Sequence, residues 1–271
     1  HYDSALYYYG KAASFFSRDG TPEARLNTVI NRMSMATTKL QQGYHQTAIR
    51  YYLEAIDSLE KSSFPEKWTN LVTAYTNIGL VYNDQQQYDK ALDYQQKALQ
   101  LCRAHGVEIA KTTQVQQLVA LDFVNLKQPE QAKKALHKAD SLAGKANLDY
   151  LFAIQYGIQG RYFREIKRYD SAFAAFNRSI IYARRTNNLF QEASMLQQLG
   201  KLSFDGKNYP QSLRYFLLSL PISQKMGDKI REKSSLKYLA ELYTLSGNNT
   251  KALRYYQQYV QLTDSLNETD A

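Results

Sequence analysis

The stretch YDKALDYQQKA, Tyr88 to Ala98, returns in recognisable form along the whole chain. It appears as YDSALYYYGKA from Tyr2, YHQTAIRYYLEA from Tyr44, PEQAKKALHKA from Pro129, YDSAFAAFNRS from Tyr169, YPQSLRYFLLS from Tyr209 and NTKALRYYQQY from Asn249. The small residue anchoring each copy falls at Ala5, Ala48, Ala91, Ala132, Ala172, Ser212 and Ala252, in steps of 43, 43, 41, 40, 40 and 40. Periods of this size mark stacked helical units, none of which can bury its apolar face alone. Twelve residues before the last six anchors stand Ala36, Gly79, Ala120, Gly160, Gly200 and Ala240. Helix axes approach closely only where no large side chain intervenes, so each repeat reads as two antiparallel helices crossing at a small residue. Apolar spacings of three and four, as in Tyr75, Ile78 and Tyr82 and then Ala91, Tyr94 and Ala98, agree.

The expected fold is all-α, a right-handed α-solenoid of about six helix pairs after a partial first repeat. The reading makes 1–271 a single superhelical domain, with the partial repeat at 1–20, pairs at 21–63, 64–106, 107–144, 145–187, 188–227 and 228–267, and a tail at 268–271. Thr21-Pro22-Glu23 and Ser63-Phe64-Pro65-Glu66 read as N-cap, first-turn proline and acidic first turn. Gly106, Gly144 and Gly227 read as helix stops, and Gly43 and Gly247 as tight turns inside repeats. Pro221 falls inside a second helix, deprives the Leu217 carbonyl of a partner, and should kink that helix or end it early.

Composition fits a folded helical chain: 44% hydrophobic, 22% charged, and only 12 Gly and 5 Pro in 271 residues. Mean hydropathy is −0.53, and no apolar run approaches the length of a membrane-spanning helix. Cys102 is the only cysteine, which excludes an intrachain disulfide and a cysteine metal cluster. The formal charge of +9 favours acidic partners, although such charge also serves only to keep a long solenoid in solution.

The helix pair, the small residue in its first helix and the Tyr-x-x-Ala opening of its second resemble the tetratricopeptide repeat family over nearly the whole chain. The family's usual spacing is shorter, so these look like its long-helix variety. Phrases such as YDKALDYQQKALQL (Tyr88 to Leu101), QKMGDK (Gln224 to Lys229) and YVQLTDSLNE (Tyr259 to Glu268) are similar to the sensory repeats of bacterial histidine kinases and related regulators. That resemblance implies a protein or peptide ligand, signal transduction as the role, and a sensor portion that precedes a membrane helix and an output module. It also implies a periplasmic location; without it the cytoplasm is the expectation.

No catalytic constellation stands out. His1, His45, His105 and His137 are far apart in repeat order, and no phosphate loop, nucleophile elbow or His-Glu-x-x-His occurs. The expectation is therefore no enzyme, no metal and no cofactor. Tyr7, Tyr8, Tyr9, Tyr51, Tyr52, Tyr255 and Tyr256 could stack on bases, but they recur at the packing sites of the motif, and core packing accounts for them better.

The binding surface expected is the concave face, lined by one face of every first helix. Counting from the small residues, it carries Met33 and Thr37, then Leu80 and Asn83, then Gln117, Leu121 and Val124, then Arg161 and Arg164, then Gln197, Lys201 and Phe204, then Lys237. This lining is apolar to neutral in its first half and basic in its second. It suits an extended peptide with an apolar end and a carboxylate-bearing end held by arginine. The alternative is that these faces are merely wet. Relatives that clamp chaperone tails use lysines and asparagines where Met33, Thr76 and Gln117 stand, which argues against that ligand. A nucleic-acid-binding array is the competing function. Basic residues scattered over all faces and the lack of base-reading pairs at fixed offsets speak against it. A structural or homodimerising role, with end helices docking on a second copy, stays open as a third reading.

Overall fold

The computed structural model describes residues 2–18, 21–63 and 65–269, and all its regular elements among these are α-helices. Two compact units emerge, His1–Ala146 and Asn147–Ala271. Sequence reading treats 1–271 as one array; the helix-pair pattern runs within each unit. The first unit holds α1 (Tyr2–Arg18), α2 (Pro22–Gln41), α3 (His45–Glu60), α4 (Lys67–Asp84), α5 (Tyr88–His105), α6 (Ile109–Asn125) and α7 (Pro129–Ala146). The second holds α8 (Asp149–Glu165), α9 (Tyr169–Arg185), α10 (Leu189–Asp205), α11 (Tyr209–Met226), α12 (Lys229–Leu245) and α13 (Asn249–Thr269). Each even-numbered helix packs on the odd-numbered helix that follows it.

In every pair but α12–α13, where the residue sixteen after Ala240 is the exposed Tyr256, the crossing is set sixteen residues apart. Gly160 lies against Phe176, Gly200 against Phe216 and Gly79 against Gln95; a Cβ at Gly200 would come within 2.8 Å of the Phe216 ring, and one at Gly79 within 2.5 Å of Gln95 Nε2. Where the small residue is alanine, Ala120 and Ala36, position sixteen holds Leu136 and Tyr52, also buried. Phe176, Phe216 and Tyr52 are fully enclosed, and each ring buries enough apolar surface to stabilise its pair by about 2–3 kcal/mol.

Turns follow from backbone conformation rather than from glycine alone. Gly43 and Gly247 adopt the left-handed region inside their repeats, and Gln86, Lys127, Lys167 and Lys207 occupy the same place in the four repeats between. Between repeats, Gly106 and Gly227 are left-handed C-caps. Gly144 is not a stop: α7 continues to Ala146, and Asn147, with φ of 49°, makes the left-handed turn in its place. Thr21 caps α2, its hydroxyl accepting from the Ala24 N–H at 3.3 Å, with Pro22 in the first turn. The second proposed cap differs: α4 begins at Lys67 with Glu66 at its cap, so Pro65 precedes the helix, and Phe64 lies outside the described residues. Pro221 does not end α11, which runs on to Met226. The proline and Leu217 lie on the exposed face, where water can take the orphaned Leu217 carbonyl.

The tyrosines divide by position. Tyr52 is buried and its hydroxyl meets Thr37 Oγ1 at 2.8 Å while accepting from Asn77 Nδ2 at 3.1 Å. Tyr9, Tyr51 and Tyr255 are half-buried, whereas Tyr7, Tyr8 and Tyr256, on the end helices α1 and α13, are exposed.

Gly160→Ala should lower stability by about 1–3 kcal/mol, because its methyl group would enter the Phe176 ring, which has nowhere to move. Adding Phe176→Leu, which copies the Ala120 and Leu136 pairing of α6 and α7, should return most of the loss. Chemical denaturation of the two single variants and the double variant checks this, and additive losses would refute the pairing.

Candidate functional site

Within the second unit, consecutive first helices α8, α10 and α12 meet through a regular side-chain ladder. Arg164 Nη1 donates to Gln198 Oε1 at 2.6 Å, the Phe204 and Tyr238 rings meet edge to face at 5.3 Å, and Gln197 Nε2 donates to the Arg231 carbonyl at 2.7 Å. All three contacts span thirty-four residues. The ladder gathers positive charge. Burial pulls the Lys201 ammonium below its usual pKa, and Arg164 and Arg161 push it further the same way, as does Arg231; Asp205 alone among the groups acting on it opposes them. Arg231 is itself paired with Asp228 and lies over the Phe190 ring at 3.8 Å. Tyr238 stacks on the buried Phe216 at 4.6 Å, and Lys201 Nζ sits 5.8 Å from its ring. Burial, then Asp205 and Glu241, raise the Tyr238 pKa against the pull of Arg164, so its hydroxyl stays protonated and able to donate.

Arg161, Arg164, Lys201 and Phe204 are all half-buried, and the structure brings the three cations together with the ring beside them. Sequence reasoning missed Arg231 and Tyr238. The thirty-four-residue offset between successive first helices would have pointed to both. Gln197 is 5% exposed and points into the contact with α12, where it also bonds Ser235 Oγ at 2.8 Å, so it holds two repeats together instead of facing outward. Lys237 is exposed but stands apart from the cluster. It lines a cleft of about 430 Å³ between α12 and α13 with Glu241, Thr244, Asn249, Leu253 and Tyr256.

In the first unit, Leu80 and Leu121 are half-buried, but Gln117 is fully buried and Val124 is 7% exposed, so neither offers its side chain to a ligand. Met33 likewise belongs to the core, with Val29, Ala36, Tyr52 and Leu71. Their burial has one cause: the face of a first helix counted as open is in part the face that packs on its neighbours. Asn83 is half-buried and engaged, its Nδ2 donating to Asp122 Oδ1 at 2.6 Å and its Oδ1 accepting from Asn125 Nδ2 at 3.5 Å. Asp122 is buried, and its second oxygen has no hydrogen-bond partner. Burial pushes its carboxyl up to about 7, although the Asn83 amide pulls the other way.

Among the described residues, no cluster of His, Cys, Asp and Glu is placed to hold a metal, and no helix is long and apolar enough to cross a membrane.

The geometry is that of a helical-repeat scaffold with polar ladders along its first helices. Two segments, residues 70–139 and 235–268, match the tetratricopeptide repeat, in agreement with the helix pairs described above. Among curated proteins none matches it. Among solved structures it is similar to the Rap conjugation gene regulator of the plasmid pLS20 in complex with the Phr* peptide, at 12% identity and a TM-score of 0.69, covering 91% of this chain and 76% of that one. It is also similar to a Rap protein complexed with competence and sporulation factor, at 14% and 0.66, covering 95% and 80%. A signal transduction ATPase with a tetratricopeptide repeat sensor from Pyrococcus horikoshii matches at 17% and 0.62, with 98% of this chain covering 41% of that one. At such identities the likeness is one of fold.

Asp122 gives a pH signature. An unfolded aspartate ionises near pH 4, so between about 4 and 7 the folded chain holds a proton that the unfolded chain has released. Stability from this group is present in full below about pH 4 and is lost as pH rises through 7. Asp122→Asn keeps an acceptor for Asn83 and removes the titration. The stability gap between variant and parent should widen in the variant's favour by on the order of 2–3 kcal/mol between about pH 5 and pH 8, measured by urea unfolding. A constant gap would mean that Asp122 is ionised in the fold.

Proposed function

We propose that this chain is a peptide-binding scaffold, the sensor or interaction region of a bacterial signalling protein, and that it binds rather than catalyses. Its grip on the ligand is the ladder of α8, α10 and α12, with Arg161, Arg164 and Lys201 taking a carboxylate, and Phe204 and Tyr238 an adjoining apolar group. One observation carries the reading: Lys201 is half-buried among cations of its own sign, with Asp205 as the opposing carboxylate. Such a charge is held at a cost that an anionic ligand relieves, and guanidinium groups receive carboxylates in bidentate fashion. The structural likeness to Rap proteins seen with a bound peptide or factor supports a peptide as the ligand class. An acidic segment fits the cluster better than a neutral one.

A screen of a random peptide library, with single-stranded RNA alongside and both at low and high salt, tests the reading. Acidic peptides should bind, and Arg164→Glu combined with Lys201→Glu should weaken them at least about tenfold with helicity unchanged. Binding of RNA alone, with a steep salt dependence, would overturn the reading in favour of nucleic acid. Peptide binding that the double variant leaves intact would remove the site from these residues.

A further inference from the structure

We infer that the groove between α5 and α7, floored by α6, is a second docking surface, one that takes an acidic peptide segment carrying a bulky apolar side chain. The groove encloses about 340 Å³. Phe123 of α6 is the half-buried apolar side chain of its floor, over the buried Val119 of α6, Leu99 of α5 and Ala135 of α7, and Gln116 fixes the α6 side by donating to the Ala135 carbonyl at 3.4 Å. Residues 116, 119 and 123 form a different stripe of α6 from Asp122 and Asn125, so this surface is separate from the first-helix ladder.

A small residue of α7 lies where one other second helix carries a bridging ring. Three positions after the anchor, the second helices carry Tyr51, Tyr94, Tyr215 and Tyr255, whereas α7 carries Ala135 and α9 Ala175. In α11 the tyrosine at that place reaches back to the preceding second helix, the Tyr215 ring lying 6.1 Å from that of Phe173. At Ala135 there is no ring to make the same reach towards α5, and the space stays open beside a floor of apolar atoms.

The rim selects the occupant. Arg103, Lys134 and Lys138 line it, none of them in an ion pair among the described residues, and no carboxylate is among the lining residues. All three are exposed, so an approaching acid meets solvated cations at the edge and an apolar floor beneath, the arrangement of an anchor side chain within a polar rim. Gln96, Gln100 and Gln131 add amides that both donate and accept. Those suit a peptide main chain, whereas nucleic-acid phosphates would use the donors alone.

The probe is a fluorescent peptide of about twelve residues alternating Glu with Leu and Phe. It is titrated by polarisation into the chain carrying Arg164→Glu and Lys201→Glu, so that failure here and failure of the ladder site are told apart. Its Lys-for-Glu counterpart, polyglutamate of the same length and single-stranded RNA serve as comparisons. Binding should persist in that background and fall at least about tenfold with Ala135→Tyr, and again with Lys134→Glu plus Lys138→Glu. Helical circular dichroism confirms that each variant is folded; should Ala135→Tyr unfold, the charge reversal at two exposed lysines decides alone. The inference is overturned by no binding up to about 1 mM, by affinity that neither variant changes, or by any of the three comparison ligands binding as tightly as the probe.

Discussion

The constraint on which the rest depends is the crossing of each pair from α2–α3 to α10–α11, where a small residue in the first helix faces the buried side chain sixteen positions later in the second. Gly160 against Phe176 and Gly200 against Phe216 leave no room for a methyl group, and Ala120 against Leu136 is the same crossing with the bulk moved from one partner to the other. Because interiors are close-packed, this contact fixes how near the two axes come and which faces meet. Within the second unit, the first helices of successive repeats then meet at positions thirty-four residues apart.

That offset explains the ladder. In the second unit, positions thirty-four apart on consecutive first helices form a guanidinium-to-amide bond at Arg164 and Gln198, a ring pair at Phe204 and Tyr238, and an amide-to-carbonyl bond at Gln197 and Arg231. In the first unit the link between first helices runs from Asn83 to Asp122 and Asn125, thirty-nine and forty-two residues on. The same row of positions thus joins repeats and displays polar chemistry, and which task a residue performs depends on whether another first helix lies against it. Gln197 has one and is buried; Lys237, three residues before Ala240 as Gln197 is before Gly200, is exposed.

The fold was legible in the sequence because it rests on residues whose size is their message: the anchors, the small residues and the step between them. The turns were half legible, since glycine announces a left-handed residue at Gly43 or Gly106, whereas Lys127, Lys167 and Asn147 adopt the same conformation without a compositional signal. Of the proposed site, residue type and helix face pointed to Arg161, Arg164 and Lys201, which the structure brings together half-buried. Gln117, Val124 and Gln197 were misplaced because one helix face serves both ligand and neighbour, and helical periodicity cannot divide it. Asp122 escaped notice because a buried carboxylate looks like any solvated one until its surroundings are known.

Those surroundings matter for what the ladder can grip. A guanidinium carries five N–H donors, and Arg164 gives one to Gln198, a bond that orients the fork while leaving donors for a ligand. Lys201 is held between Arg164 and the Tyr238 ring, half out of water, where an ammonium is weakly solvated and an incoming carboxylate has less water to displace. In the proposed site, Arg164 is positioned by a bond that also joins α8 to α10, so little ordering of that side chain would be left for binding to impose. An anion at this place would meet cations whose mutual repulsion the fold already sustains, and its affinity would draw on the relief of that repulsion as much as on new contacts.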